Sequence, residues 1–259
     1  MNRLAEIVAQ RRRDIASEKR RPAPAEAGLP AAPQRPHDLS ATLRARQPCV
    51  IAEIKRRSPS AGDLALNCDV AQLALSYERG GAAAISVLTE PHYFGGGWSD
   101  LAIVRTATSL PILCKDFIVD RYQIERAAAA GADAVLLIVA VLTAAELRDF
   151  VAACAALDMS ALVEVHDEFE LAIALGAGAA IIGVNNRDLQ TFSVDRSTAE
   201  RLCRLIPPSV TVVAESGYGD RKALARAYAA GAHAVLMGEC LLRAADPALL
   251  LQSLQAAAL

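Results

Sequence analysis

The sequence predicts an α/β protein built as a closed (β/α)8 barrel, the TIM-barrel architecture, with an N-terminal helical extension. Two observations carry that prediction. Short apolar or β-branched runs alternate with helix-like segments eight times, which specifies a parallel sheet, and eight such units fill the roughly 250 residues that a closed barrel takes. Polar and charged residues gather at one end of these runs, whose interiors are apolar. The length of 259 residues alone leaves one large domain or two small ones open. An open doubly wound sheet shares the alternation, but no G-x-G-x-x-G follows the first strand, so the dinucleotide fingerprint of that fold is missing. We read residues 1–259 as a single barrel domain, of which 1–47 is the extension.

The elements follow in order. Leu4 to Arg21 has apolar positions at Leu4, Ile7, Val8 and Ile15 and a basic remainder (Arg11, Arg12, Arg13, Lys19, Arg20, Arg21), which predicts an amphipathic helix. Glu6, Asp14 and Glu18 dilute its charge, so the basic face reads as solvated rather than as a nucleic-acid surface. The Pro/Ala-rich stretch Pro22 to Pro36 ends that helix. Strands are expected within Cys49–Lys55, Ala83–Thr89, Pro111–Phe117, Ala134–Ala140, Ser160–His166, Ala180–Asn186, Thr211–Gly217 and Ala234–Glu239. Helices are expected over Val70–Arg79, Arg121–Ala130, Ala144–Leu157, Phe169–Leu175, Arg221–Ala230 and Pro247–Ala258, among others. Gly81-Ala82, Gly131-Ala132 and Gly231-Ala232 close three of them just before the next strand, where helix C-termini favour glycine.

Hydrophobic content of 53% with only 4% aromatics gives a core of Ala, Val, Leu and Ile, which suits helices packed on strands. A net charge of -2 supplies no field that would draw the chain to nucleic acid or an anionic membrane. The longest uncharged apolar segment, Ala134 to Ala145, is too short to cross a bilayer, and the N-terminus lacks the apolar core of a signal peptide. Cys49, Cys68, Cys114, Cys154, Cys203 and Cys240 form no C-x-x-C, and His37, His92, His166 and His233 are equally scattered. We expect a soluble, cytoplasmic, reduced protein without a metal site, a monomer or weak homo-oligomer.

The first strand, Cys49-Val-Ile-Ala-Glu-Ile-Lys-Arg-Arg-Ser-Pro-Ser60, puts Glu53 and Lys55 on one face, one pleat apart. In a barrel the catalytic groups sit where strands end and the βα loops converge. There the chain places Glu53 and Lys55 on strand 1, Lys115 on strand 3, Glu164 and His166 on strand 5, Asn185 and Arg187 on strand 6, and Glu215 and Ser216 on strand 7. Burying a lone charge is costly and tolerated only with a partner or ligand. Glu53–Lys55 and Glu164–Lys115 read either as ion pairs closing the barrel or as a catalytic set. Their number at one rim favours the second. Strand 7 ends in Glu215-Ser-Gly-Tyr-Gly219 and strand 8 in Met237-Gly-Glu239, the loops that commonly cradle phosphate in this fold, and Lys55 and Ser58 can reach the same anion from strand 1.

These motifs resemble the indole-3-glycerol phosphate synthase family. The resemblance is carried by Ile51-Ala-Glu-Ile-Lys-Arg-Arg-Ser-Pro-Ser60, Leu113-Cys-Lys-Asp-Phe-Ile118, Leu162-Val-Glu-Val-His166, Ile182-Gly-Val-Asn-Asn-Arg-Asp-Leu189 and Val213-Ala-Glu-Ser-Gly217, and it spans nearly the whole chain. It implies conversion of 1-(o-carboxyphenylamino)-1-deoxyribulose 5-phosphate to indole-3-glycerol phosphate, with release of CO2 and water and no cofactor. By resemblance, Lys115 is the general acid, its pKa lowered by nearby Lys55. Glu164 gives or takes protons in the later steps, Glu53 holds Lys115 or an intermediate, and Lys55 binds carboxylate or phosphate. Asn185 and Arg187 orient the substrate, with Glu215 and Ser216 beside them. Phosphate contacts map to Ser58, Gly217, Gly238 and the backbone N–H of Glu239, while Phe94, Phe117, Leu136, Leu189 and Leu236 wall the anthranilate ring.

The sequence departs from the family pattern at two places. Ala61 stands where a loop lysine is frequent, and the glycine-rich Phe94-Gly-Gly-Gly-Trp-Ser99 predicts a looser lid after strand 2. Two rival readings use the same rim. A Schiff-base aldolase or thiazole-synthase-like barrel would bond its substrate covalently through a strand-end lysine, and a non-catalytic barrel would only bind a phosphorylated ligand.

Overall fold

The computed structural model describes residues 3–20, 37–45, 47–189 and 191–256. Among them, eight parallel strands close on themselves: β1 (Val50–Ile54), β2 (Ala84–Leu88), β3 (Ile112–Lys115), β4 (Ala134–Ile138), β5 (Ser160–Val165), β6 (Ile181–Asn185), β7 (Thr211–Glu215) and β8 (Ala234–Met237). Closure is explicit, since Ile51 of β1 is in register with Ala84 of β2 on one side and Leu236 of β8 on the other. The strands are one to three residues shorter than the apolar runs that predicted them, because the flanking residues belong to the loops. Each is sheathed by a helix, so each run is near-continuously apolar rather than alternating.

Before the barrel come α1 (Arg3–Arg20) and α2 (Leu39–Arg44). The outer ring is α3 (Val70–Arg79), α4 (Trp98–Ala107), α5 (Arg121–Ala129), α6 (Ala144–Ala155), α7 (Glu168–Gly176), α8 (Ser197–Leu202), α9 (Arg221–Ala229) and α11 (Pro247–Gln255), with the short α10 (Glu239–Leu242) between β8 and α11. The sequence analysis did not delimit α4 and α8. Most of these helices start on a side-chain cap that accepts orphan N–H groups: Asp69, Asp120, Asp167, Asp220 and Asp246, and Thr143 in a full capping box with Glu146. The glycines of the Gly-Ala pairs sit at positive φ just past their helices, Gly81 at 83°, Gly131 at 89° and Gly231 at 105°. The stretch Pro22 to Pro36 lies outside the described residues. No helix among the described residues is long and apolar enough to cross a membrane.

Two apolar clusters result. One lies between strands and outer helices. The other fills the barrel, where Leu39 and Leu43 of α2 plug the N-terminal end of the strands against Cys49, Ala83 and Ala234, and Ile7 of α1 joins Phe117 and Leu236 at the other end. The extension therefore closes the barrel from both sides. Period-two alternation sends Ile51, Leu113, Leu162 and Val213 of the odd strands into this interior, and the next inward positions up those strands are Glu53, Lys115, Glu164 and Glu215. Four charged side chains thus share the layer above four aliphatic ones.

The basic face of α1 is largely solvated, as the sequence suggested, with Arg12, Arg13, Lys19 and Arg20 exposed, but Arg11 turns inward. Arg11 is 1% exposed and makes a forked bond to Asp116, Nε to Oδ1 at 3.0 Å and Nη2 to Oδ2 at 2.5 Å. Its guanidinium lies 5.5 Å from the centroid of Trp98, whose ring is also approached by Arg126 at 4.9 Å. Glu18 takes Arg11 at 3.5 Å and also Arg126, and Lys19 meets Asp120 at 2.8 Å. Asp116 and Asp120 lie elsewhere in the chain and Glu18 two helical turns on, which is why the helix alone did not mark Arg11 as buried.

Candidate active site

The C-terminal rim of the barrel opens into one cavity of about 550 Å³. It is lined by all seventeen residues that the sequence analysis singled out as catalytic or substrate-binding: Glu53, Lys55, Ser58, Phe94, Lys115, Phe117, Leu136, Glu164, Asn185, Arg187, Leu189, Glu215, Ser216, Gly217, Leu236, Gly238 and Glu239. Among the described residues no group of three or more His, Cys, Asp or Glu is placed to hold a metal ion.

Lys115 is the hub. Its Nζ lies 3.4 Å from Glu164 Oε2 and 3.2 Å from Glu215 Oε2. Across the mouth, Lys55 Nζ donates to Glu53 Oε1 at 2.5 Å. The alternative pairs Glu53–Lys55 and Glu164–Lys115 thus both exist, but Glu215, which the sequence analysis set beside Asn185, is the second partner of Lys115. Glu53 spends its close contact on Lys55 instead of holding Lys115.

That arrangement overturns the expected pKa of Lys115. Burial alone would lower it, but Glu215, Glu164 and Glu53 more than reverse this and hold the ammonium above the ordinary lysine range. Lys55 does not lower it because Glu53 neutralises Lys55. Burial opposes ionisation of Glu53 too, yet Lys55 and then Lys115 carry its pKa below normal. The carboxylates flanking Lys115 part ways. Burial raises both, but Lys115, His166 and Asn185 pull Glu164 well below the usual range. Glu215 is left raised to about 7, because Lys115 does not offset burial and the nearby charge of Glu164.

Two glycines make room for these carboxylates. A Cβ on Gly183 of β6 would overlap Glu215 Oε1, and one on Gly238 would come within 2.6 Å of Glu53 Oε1. On β6 the inward position in register with Glu164 is Gly183, whereas β4 and β8 present Ile138 and Leu236 beside Glu164 and Glu215. Sequence reading passed over Gly183 as part of an apolar run; its signal was a glycine at an inward position of a strand.

The remaining walls are held by local bonds. Asn185 Nδ2 donates to Glu164 Oε1 at 3.1 Å and its Oδ1 accepts the Arg187 N–H at 2.9 Å. The Arg187 guanidinium is anchored on Phe192 O at 2.8 Å. Ser216 and Gly217 follow β7 at positive φ, 66° and 84°, and a Cβ on Gly217 would meet Val194 Cγ1 at 2.7 Å. Strain at a non-glycine such as Ser216 persists where surrounding structure enforces it. Here Asn186 does so, donating from Nδ2 to Ser216 O and Tyr218 Oη, each at 3.0 Å. Glu239 turns its carboxylate to Arg243 at 2.9 Å. Ser58 Oγ accepts from Ala61 N–H at 3.1 Å, so the loop holds its turn without a lysine at 61.

The lid after β2 is tied down rather than loose. Glu90 is buried and accepts the N–H groups of His92 (3.0 Å), Tyr93 (2.6 Å) and Phe94 (3.0 Å), and Gly96 N–H donates to Glu90 O at 2.9 Å. Gly96 packs so closely that a Cβ there would overlap Leu88 O and lie 2.6 Å from Leu88 C. Gly96 serves close approach and Gly95 a positive φ of 69°. The result sets the Phe94 ring 5.9 Å from that of Phe117, tilted by 39°. Sequence reasoning also missed Phe192, Arg196 and Arg243 as cavity lining, and read Leu4 and Ile7 only as the apolar stripe of α1.

A family model described as "Indole-3-glycerol phosphate synthase" matches residues 4–254. A protein of that name from Parafrankia sp. is 49% identical over 253 residues, covering 95% of this chain and 92% of its own. One from Nocardioides sp. is 49% identical over 250 residues, covering 95% of both chains. Among solved structures, a thiamine phosphate pyrophosphorylase from Pyrococcus furiosus superposes with a TM-score of 0.64 at 16% identity, covering 85% of this chain and 98% of its own. The last likeness shows the fold alone.

Proposed function

The chain belongs to the indole-3-glycerol phosphate synthase family, and from that premise we propose how its residues divide the reaction. The enzyme is a carboxy-lyase of tryptophan biosynthesis acting on a small phosphorylated substrate. It closes the indole ring of 1-(o-carboxyphenylamino)-1-deoxyribulose 5-phosphate, releasing CO2 and water. Because the carboxylate departs as neutral CO2, each turnover takes up one proton.

The anthranilate ring enters between Phe94 and Phe117 and against Leu136, Leu189 and Leu236. The phosphate is received by Ser58, Gly217, Gly238 and the Glu239 backbone, and Lys55, on the same side through its partner Glu53, meets carboxylate or phosphate. As the aromatic carbon attacks the ketone, its oxygen needs a proton. An ammonium ringed by three carboxylates parts with its proton reluctantly, so Lys115 acts together with Glu215: as Lys115 donates, the proton held by Glu215 replaces it, which takes the pair from a net charge of +1 to zero and leaves the ammonium restored beside an ionised Glu215. Glu164, ionised, takes the carbon-bound proton during dehydration, while the Lys115–Glu215 pair protonates the departing hydroxyl. Asn185 and Arg187 fix the sugar chain, and the strained Ser216 presents its hydroxyl beside them. We place the reaction in the cytoplasm, in a monomer or weak homo-oligomer, on the strength of composition.

The observation that carries this reading is Lys115 seated between Glu164 and Glu215 under the aromatic pair. The test is to supply the substrate to purified protein and follow indole absorbance. Lys115→Met should abolish turnover while leaving the product able to bind. A Lys115→Met protein with more than a hundredth of parental kcat would end the assignment, and a borohydride-stable adduct on Lys115 would favour Schiff-base chemistry.

A further inference from the structure

The geometry points to His166 as a positioning residue: held by Glu170, it braces Glu164 from outside the cavity and keeps that carboxylate aimed and ionised as the base. His166 follows β5 directly, and Glu170 stands one turn into α7, on the helix that Asp167 caps. Glu170 Oε2 accepts both the backbone N–H of His166 at 2.8 Å and its Nδ1 at 2.9 Å, which ties the ring to the same oxygen that holds its backbone. The opposite nitrogen, Nε2, is thereby turned to Glu164 Oε1 at 3.4 Å, an ion-pair contact without a hydrogen bond, and among the described residues it has no other partner. The same oxygen accepts Asn185, while Oε2 faces Lys115, so both oxygens of Glu164 are engaged. Glu164 lines the cavity and His166 does not, so His166 acts only through its neighbour.

The groups facing His166 are Glu164 of β5 and Glu170 of α7. Burial works against the imidazolium, but the contact with Glu164, the hydrogen bond to Glu170 and then the charges of both carboxylates raise its pKa to about 10. Facing Glu164 are Lys115 of β3, His166 and the neutral Asn185, with Glu53 of β1 and Glu215 of β7 as like charges. Glu215 has no equivalent brace, and its Oε1 is buried with no hydrogen-bond partner. Two carboxylates share one lysine, and the Glu170–His166 couple on one side makes them unequal. Such a split assigns the ionised member as base and the protonated one as acid. Glu170 carries the cation to the right place: without it, the ring has no second point of attachment and is free to turn away from Glu164.

The inference rests on the reading of Glu164 as the base. It is tested by His166→Gln and Glu170→Gln, with kcat and KM measured across pH 5 to 9 and folding checked by thermal unfolding. His166→Gln should lower kcat about tenfold or more with KM changed less than about threefold, and an acid limb, which the parental profile lacks above pH 5 because Glu164 is held well below the usual carboxylate range, should move up toward the measured window as Glu164 loses a neighbouring cation. Glu170→Gln should act in the same direction more weakly, and the double variant should be no worse than His166→Gln, since both act through one carboxylate. The inference is overturned by folded variants that keep the parental pH profile and kcat within twofold, or by an effect confined to KM. If His166→Gln does not fold, Glu170→Gln alone decides by the same profile. Lys115→Met separates the two claims: turnover surviving there sinks the mechanism itself, whereas a dead Lys115→Met beside an unshifted His166→Gln sinks only the brace.

Discussion

Gly183→Ala adds one methyl group to an inward position of β6 and should disable the enzyme through Glu215. The new Cβ would overlap Glu215 Oε1 and press on Glu215 Cδ and Leu162 Cδ1, each at 3.3 Å. Backbone on β6 cannot yield, because Gly183 is in register with Glu164 of β5 and Val213 of β7 in a closed sheet. The carboxylate must therefore swing by about 1 Å or more, which stretches its 3.2 Å contact with Lys115 past ion-pair range. Overpacking of this kind costs roughly 1–3 kcal/mol of stability. Misplacing a catalytic group by about 1 Å costs on the order of a hundredfold in rate. Urea unfolding should show the first loss and indole formation the second, with kcat falling far more than KM rises. Because both substitutions act on one side chain, Gly183→Ala combined with Glu215→Gln should be no slower than the slower single variant. A Gly183→Ala enzyme within twofold of parental kcat would refute the reasoning, since it would mean that Glu215 works equally well after leaving Lys115.

Gly238→Ala makes the same intrusion on Glu53, at 2.6 Å from Oε1, and should loosen the Glu53–Lys55 pair; substrate KM should rise more than kcat falls. Glu215→Gln should change how stability varies with pH. The folded pKa of Glu215 lies above its unfolded one, so its contribution is fully present below the unfolded value near 4.5 and is lost as pH rises through about 7. Denaturation series across pH should therefore show parental stability falling relative to Glu215→Gln by up to about 1.4 kcal/mol per pH unit within that window, and parallel curves would contradict the raised pKa. Arg11→Met strands Asp116, 0% exposed in its side chain, and should cost about 3–5 kcal/mol, most of which the Arg11→Met, Asp116→Leu pair should restore. Gly96→Ala should destabilise the β2 lid and raise KM, because a Cβ there meets the backbone of Leu88 and Thr89 rather than a side chain that can turn aside.

The strands and the identity of the rim residues were legible because both are local properties. An apolar run ending in a charge says where a strand stops and what it presents, whatever the rest of the chain does. What sequence could not show is which charge meets which. Glu53 and Lys55 lie two residues apart and pair as expected, but Lys115 takes Glu215 from exactly one hundred positions away, and Arg11 takes Asp116 across 105. The pKa of Lys115 was misjudged for that reason: its sign depends on how many carboxylates close the ring around it. The loop at Gly95 to Gly97 was misread as loose because glycine permits both mobility and close approach, and only the position of Leu88 O decides between them.

The barrel geometry explains how so much charge is tolerated in one layer. In a closed eight-stranded sheet, side chains of alternate strands share a level, so four charged groups on odd strands leave the even strands to fill the gaps between them. Leu88, Ile138 and Leu236 fill part of that space, and Gly183 and Gly238 leave the room into which Glu215 and Glu53 lean. Opposite charges then lie close enough for their attraction to offset burial: Lys55 with Glu53, Lys115 with Glu164 and Glu215. Counting His166, which α7 sets behind Glu164, the cluster holds three cations against three carboxylates of its own and a fourth in Glu170. One carboxylate is left over, and the surplus falls on Glu215, the member with an unpartnered oxygen. A cluster one proton short of neutrality binds one there near neutral pH, which is the proton that loss of CO2 demands.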